Sequence, residues 1–540
     1  MKIQLALGAV TAAFSLMAGP GTDRAKIIGW GWDTLASTAS DVLEHAAEFD
    51  ASGFDGTAVM IQRPQSYNFR AASTATNWCR TALAAEIPIL KEFANHKGLK
   101  ESLLLMHFAP KKFLSWTDPA VWARFNENMA TAAWLAKEGG LKGLFIDPED
   151  YPNSKQFFWD EKRDGMDYDA ACRLAECRGK QMGAAIFREY PAITILSTWF
   201  LSMEQSYFVA DDPAAQMRKL GDLWPSFVGG FVSEMPKGAV LADGDEHGYH
   251  CDADHNDFYK HAWNQRTVCP RLLKDEHRSA YFEHLSLGFG LYPDMFVNQK
   301  GAIWYYGPGA DGTRVSRFTA DVAQSAYVAE SYVWVYGEKY GTIRWKPGAS
   351  CMKVKGRKYI AEDGTCITWN DALPGFTDSI RLVTEPEALA KETLARATTN
   401  CVVWTKAGFW QHRSSKGSWH KDNDDKSAGA YSLVAKGVKQ GCFTFSIPVL
   451  PGEMYAISGA VKGEGRYSVT WSSKDLGLSQ ADRKYLLPLS TELADGWKSG
   501  EIAVCVPPGM STIEIHASPS KQGPEDECKF ADLKVVKISH

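Results

Sequence analysis

A chain of 540 residues exceeds the length of one ordinary domain unless that domain is a large barrel, so two domains are expected. With 45% hydrophobic, 12% aromatic and 23% charged residues, the composition is that of a well-packed globular protein and excludes a disordered or fibrous chain. A formal net charge of -5, with Lys and Arg dispersed among Asp and Glu, offers no basic stripe for a phosphate backbone, and nucleic acid is not an expected partner.

The chain begins MKIQLALGAVTAAFSLMAG, one Lys ahead of an apolar run of roughly 15 residues that closes in small residues, the layout of a secretory signal. Residues 1–20 are read as that signal, which predicts a secreted or periplasmic protein. The run falls short of the about 20 residues that a bilayer span requires, and no later segment is apolar enough to cross a membrane. Eleven cysteines fit export: Cys251 with Cys269, Cys351 with Cys366, and pairs among Cys401, Cys442, Cys505 and Cys528 are candidate disulfides. No CxxC pair occurs, which speaks against a zinc ribbon.

Residues 25–395 alternate short β-rich apolar runs with longer segments of helical period. The runs are IIGWGW (27–32), FDGTAVMI (54–61), SLLLMHF (102–108), GLFID (143–147), ITILSTWF (193–200), AVLADGD (239–245), LSLGFGLY (285–292) and YVWVYGE (332–338). Segments between them, such as DPAVWARFNENMATAAWLAKEGG, carry apolar residues near i, i+3, i+4 and i+7 with Gly or Pro at their ends. Eight such units predict an α/β fold, a (β/α)8 barrel with long loops. No run is followed by GxGxxG or GxxxxGK[ST], so no nucleotide cofactor, and no other cofactor, is expected.

From about residue 399 to 540 the helical period gives way to alternating strands, among them CFTFSIPV, MYAISGAVK, YSVTWSS, IAVCVP and TIEIHAS, parted by Gly, Pro and Ser turns. This predicts an all-β sandwich. Its succession of WTKAGFWQ, GEMYAISGAVK, ADGWKSGEIAVCVPPGMSTIEIHA and CKFADLKVVKI resembles carbohydrate-binding modules of the jelly-roll type. That resemblance implies that Trp404, Trp410 and Trp419 are candidates for stacking on sugar rings.

In a (β/α)8 barrel the active site lies at the C-terminal ends of the strands. There the first run supplies Trp30, Trp32 and Asp33, the third His107, the fourth Asp147 and Glu149, the fifth Trp199, the seventh Tyr292 and the eighth Tyr336 and Glu338. Residues two apart on a strand point the same way, which puts Asp147 and Glu149 on one face while Pro148 helps end the strand. Two carboxyls so placed do not ionise independently, and one can serve as a general acid. The sixth run leads into DGDEHGYH, where Gly244 and Gly248 permit a bend; Glu246 is the expected opposing carboxylate and Asp245 a substrate-binding residue. His247, His250 and His255 stand in no HExxH or comparable frame, and no metal is expected. Aromatic walls around carboxylates suit a glycan, whose C–H faces stack on rings while its hydroxyls bond to acids.

LKGLFIDPEDYP resembles the strand-4 motif of family 18 glycoside hydrolases, the chitinase group, departing from it at Lys142 and Phe145. That resemblance implies Glu149 as general acid and Asp147 as the residue orienting a substrate acetamido group that acts as nucleophile. Pairing a strand-4 acid with Glu246 is instead similar to the galactosidase clan. The expected function is thus a secreted glycoside hydrolase with paired carboxylates on strands 4 and 6. The alternatives are a substrate-assisted N-acetylhexosaminidase using Asp147 and Glu149, and a glycan-binding protein without turnover. A lyase or esterase is less expected, since the strand ends favour acids and no GxSxG elbow occurs.

Overall fold

The computed structural model describes residues 24–539 except 36, 62–71, 73–75, 108–109, 111, 151–152, 205–206, 208–209, 350–351, 353–359, 403–406 and 474–477. The signal-like residues 1–20, Cys351 and Trp404 lie outside the described residues. The chain forms two compact units, Arg24–Tyr305 with Gln324–Ala372, and Tyr306–Ala323 with Leu373–His540.

The first unit is a (β/α)8 barrel. Its strands are β1 (Lys26–Gly31), β2 (Ala58–Val59), β3 (Leu103–His107), β4 (Gly143–Asp147), β5 (Thr194–Ser197), β6 (Val240–Asp243), β7 (Leu285–Leu291) and β8 (Tyr332–Gly337). They are parallel and ordered β1-β8-β7-β6-β5-β4-β3-β2. The ring is joined between β1 and the residues before β2, where Gly29 N–H donates to Gly56 O at 3.0 Å and Asp55 N–H to Ile27 O at 2.8 Å. All eight predicted runs therefore form strands. β2 is the shortest because the closing contacts fall on Asp55 and Gly56, ahead of it.

Alternate residues of the strands fill the interior. Ile28, Trp30, Leu103, Leu105, Phe145, Leu196, Ala242, Tyr332 and Trp334 form one buried cluster. Trp30, Phe145 and Trp334 meet edge to face or tilted, with ring centroids 4.9–5.9 Å apart. So bulky a layer fits because β7 faces it with glycine. A Cβ on Gly290 would lie 2.6 Å from the Trp334 ring. Outside the ring, the helices Tyr168–Glu189 and Trp224–Val232 approach through glycine as well, since a Cβ on Gly179 would lie 2.1 Å from Phe227 O.

The second unit is a sandwich of two antiparallel sheets, followed from β9 (Gly408–Gln411), β10 (Ser418–Asp422), β11 (Ser432–Lys436), β12 (Gly441–Pro448), β13 (Met454–Lys462) and β14 (Gly465–Ser473) to β15 (Leu478–Leu486), β16 (Thr491–Glu492), β17 (Trp497–Cys505), β18 (Thr512–Pro519) and β19 (Glu527–Lys537). The sheets run β10-β11-β19-β13-β17-β16 and β15-β14-β18-β12-β9. Their facing sides bury Phe443, Phe445, Tyr467, Trp471, Ile515 and Phe530. Helices Phe376–Thr384 and Pro386–Arg396 cover the outer side of β13 and β17 through Leu382, Leu389 and Ala390.

The expected disulfides do not form among the described residues. None of Cys251, Cys269, Cys366, Cys401, Cys442, Cys505 and Cys528 is joined in a disulfide. The cross-strand neighbours explain this: Cys442 pairs with Trp410, Cys505 with Met454 and Cys528 with Ala435, so no two sulfurs face each other across a ladder. Cys505 and Cys528 are instead buried as small apolar side chains. No described helix is long and apolar enough to cross a membrane.

Candidate active site at the barrel mouth

The inward alternation that buries Leu103, Leu105 and Phe145 carries on to the strand ends and turns His107 and Asp147 toward the barrel axis. These two are register partners on β3 and β4, and His107 Nε2 stands 3.8 Å from Asp147 Oδ2. Asp147 is buried, and its Oδ1 accepts the Glu149 N–H at 3.0 Å. That bond turns the chain immediately after β4 and fixes the position from which the half-buried Glu149 projects. Asp150 instead shapes the following loop, its carboxylate taking the N–H groups of Ser154 and Lys155 at 2.9 and 2.6 Å.

A relay of backbone bonds brings Glu246 to this place. Thr198 N–H, just past β5, donates to Ile146 O of β4 at 3.1 Å, and Glu246 N–H donates to Thr198 O at 3.1 Å. The bend that permits it runs through Gly244, where a Cβ would lie 2.2 Å from Ser197 O, and through Asp245 at φ 36°. The Trp334 indole N–H closes on Gly244 O at 2.7 Å. Glu246 then opens a short 3-10 turn, Glu246–His250. Burial, followed by the negative charges of Glu149, Asp147 and Asp245, pushes the Glu246 carboxyl up to about 8.

The neighbouring acids of the same segment are committed elsewhere. Asp243 is fully buried and accepts the N–H groups of Phe200, Leu201 and Ser202 at 2.9–3.1 Å, holding the chain after β5. Asp245, also buried, accepts from the Gln265 amide at 3.1 Å and pairs with His261 Nδ1 at 2.8 Å, securing helix Asp257–Thr267. Asp33 is buried and receives Thr342 N–H at 2.8 Å and the Trp345 indole N–H at 3.3 Å, tying the end of β1 to the chain after β8. Glu338 is exposed, with its backbone N–H on Asp294 Oδ2 at 2.9 Å.

One aromatic wall flanks the acids. Tyr336 packs on Trp30 with centroids 4.7 Å apart and stacks with Tyr292 at 6.2 Å; Tyr292 stacks with Tyr249 at 5.2 Å. Trp304 completes it, 5.6 Å from Tyr292 and 4.6 Å from His250. Trp32 is 36% exposed after β1 and Trp199 is half-buried after β5; neither enters these ring contacts. Tyr249 and Trp304 join the wall although neither stands among the residues expected from the sequence. The first lies inside DGDEHGYH, three residues beyond Glu246, and the second in the aromatic GAIWYYGPG loop just after β7, so both carried a positional signal.

Among the described residues His247, His250 and His255 join no cluster of metal-ligating side chains. The one such group is Glu176, Glu276 and His277 on the outer helices, and the Glu176 carboxylate is already met by Lys180 at 3.0 Å and Lys274 at 2.5 Å. On the sandwich, Trp410 is 50% exposed on the edge strand β9, whereas Trp419 is partly buried and donates its indole N–H to Gln411.

No protein-family model matches the chain, and no curated protein matches it. Among solved structures, the CBM22-1 xylan-binding domain of Paenibacillus barcinonensis Xyn10C is 14% identical, with 25% of this chain and 87% of that one covered at a TM-score of 0.20. The enzymatically active domain of bacteriophage CBA120 tailspike protein 4 is 17% identical over 39% of this chain and 30% of its own, at 0.21. The CBM22-1 and GH10 modules of Clostridium thermocellum endo-1,4-beta-D-xylanase 10B are 12% identical over 23% and 25%, at 0.19. Likeness at this level is no guide to activity, which has to be read from the barrel mouth.

Proposed function

We propose that the barrel is an exported glycoside hydrolase in which Glu246 is the general acid and a strand-4 carboxylate, Asp147 or Glu149, stabilises or attacks the anomeric carbon. What carries this reading is the gathering of Asp147, Glu149 and Glu246 just past the ends of β4 and β6, where burial and the nearby charges of Glu149 and Asp147 push the Glu246 carboxyl up to about 8. A protonated and an ionised carboxyl flanking the scissile bond are what cleavage of an acetal needs. The first delivers a proton to the leaving oxygen, and the second meets the positive charge that grows on the sugar ring. The wall of Trp30, Tyr336, Tyr292 and Tyr249 suits the apolar face of a pyranose. The placement of Glu246 within reach of the strand-4 charges favours the two-strand pair over a substrate-assisted mechanism run by Asp147 and Glu149 alone.

Release of the aglycone from a panel of aryl glycosides, and of reducing ends from plant and mucin glycans, tests the reading. Glu246→Gln is expected to lose about 100-fold or more in rate on substrates with poor leaving groups. It should lose far less on dinitrophenyl glycosides, which depart without a proton. Full activity of Glu246→Gln on every substrate removes that residue from the mechanism. Saturable sugar binding with no turnover by the unaltered protein would make the barrel a glycan-binding module.

A further inference from the structure

We propose that Trp304 is the stacking platform for a second, uncharged pyranose ring, next to the ring that sits at the acids, and so sets the preference of the site for oligosaccharides over single sugars. This rests on reading the mouth as a glycan site.

Trp304 differs from the other indoles that line the barrel. Trp30 and Trp334 are 6% and 0% exposed and serve as packing, whereas Trp304 is 37% exposed. Its exposure is not that of a loose side chain. His250 lies against the indole nearly parallel, at 24° and 4.6 Å, while Tyr249 and Tyr292 stand across it at 80° and 75°. The backbone is held too, because Asn298 donates its side-chain amide N–H to Trp304 O and itself accepts from Lys339. An indole held by three rings and still 37% exposed offers its exposed surface with little ordering cost when a ligand arrives.

The position of the indole relative to the acid follows from the chain. Glu246 opens the 3-10 turn and His250, which backs Trp304, closes it, with Tyr249 between them. At about 2 Å of rise per residue, the two ends of the turn are about 8 Å apart, which places Trp304 beyond the ring at Glu246 and within reach of the next one. The aromatic wall is continuous between the two places, from Trp304 through Tyr292 to Tyr336 and Trp30. Asp147, Glu149 and the exposed Glu338, set against Lys339, disfavour a uronate relative to a neutral ring.

The test uses the full chain. Calorimetric titration of Glu246→Gln with cellotetraose, xylotetraose and chitotetraose, and with the matching single sugars, is repeated with Trp304→Ala and with Trp304→Phe added. The tetraose that binds should bind about tenfold more weakly after Trp304→Ala, with a smaller loss for the single sugar and recovery of most of the affinity in Trp304→Phe. Kinetics run in parallel should show a larger fall of kcat/KM on the oligosaccharide than on the aryl glycoside of one sugar. Equal losses on long and short ligands, unchanged binding in Trp304→Ala, or no binding of any tetraose overturns the proposal. Turnover of aryl glycosides together with unchanged tetraose binding in Trp304→Ala leaves the hydrolase reading standing and removes this one. Absence of turnover with a selective loss in Trp304→Ala does the reverse.

Discussion

Glu246 and Asp245 are chain neighbours with the same functional group, and the left-handed turn at Asp245 sends them to opposite fates. Asp245 gives one carboxylate oxygen, Oδ2, to both His261 and Gln265, while Glu246 stays among the strand-4 acids, its carboxyl pushed up to about 8. A general acid works only while protonated, so the rate with poor leaving groups should fall as pH rises through about 8, and Glu246→Gln should abolish that limb of the profile. Glu149→Gln removes one of the charges that hold the proton on Glu246, and the limb should then move to lower pH in whatever activity remains. A limb that stays in place in Glu149→Gln would separate the two residues. Asp147 and Glu149 could be picked out in the sequence because GLFID is a clean apolar strand whose end coincides with its acids. The engagement of Asp245 and Asp33 could not, since it depends on His261, Gln265, Thr342 and Trp345, residues brought in by the fold from distant parts of the chain.

At the scale of elements, β6 and β7 are built around a bulky residue of β8. The Trp334 ring occupies space that side chains on Gly244 and Gly290 would fill, and its indole N–H donates to Gly244 O. Gly244→Ala would push a methyl to within 2.2 Å of the Ser197 carbonyl, a backbone atom that cannot step aside without moving β5. A loss of about 1–3 kcal/mol is expected, read as a lower melting temperature of the barrel. Because Gly244 lies in the bend that carries Glu246, kcat should fall as well. An unchanged melting temperature would mean that the barrel mouth yields more readily than its packing implies. The eight strands were legible from their apolar runs, as were the sandwich strands from their alternation. The helices Phe376–Thr384 and Pro386–Arg396 illustrate what was not. Their period marks an amphipathic helix, but nothing local to it tells a helix flanking a barrel strand from one lying on β13 and β17.

Taken as a whole molecule, the carboxyls that folding raises among the described residues lie in the barrel unit. There burial raises Glu246 to about 8 and Asp294 to about 7, and raises the interacting pair Glu204 and Asp222 as well, while Glu176, buried but met by Lys274 and Lys180, is lowered to about 2. In the sandwich unit partners lower them: Lys529 holds down Asp422, Lys462 with Lys529 holds down Asp425, and Glu453, despite its burial, is held down by Lys537. A carboxyl raised on folding stabilises fully below its ordinary range and loses that contribution as pH rises through its folded value. One lowered on folding contributes above the ordinary range and loses it only as pH falls further. Between pH 5 and 8, therefore, the barrel should weaken steadily while the sandwich stays level. His261, raised chiefly by Asp245 against the effect of its burial, acts with the raised acids; His250, lowered by burial, opposes them. Each pH unit over which one of these acids keeps its proton is worth about 1.4 kcal/mol, so Glu246, Asp294 and the Glu204–Asp222 pair, which titrates as a unit, outweigh one histidine. Glu204, which lies beside Asp222 and feels its charge, is the residue to change, because the hydrolase reading does not involve it. Calorimetry at pH 5 and pH 8 should show the barrel transition several degrees lower at the higher pH and the sandwich transition in place. Glu204→Gln, which has no proton to lose, should recover part of the drop at pH 8. If both transitions shift equally with pH, or if Glu204→Gln behaves as the unaltered protein at pH 8, the barrel's acids are not what sets its stability.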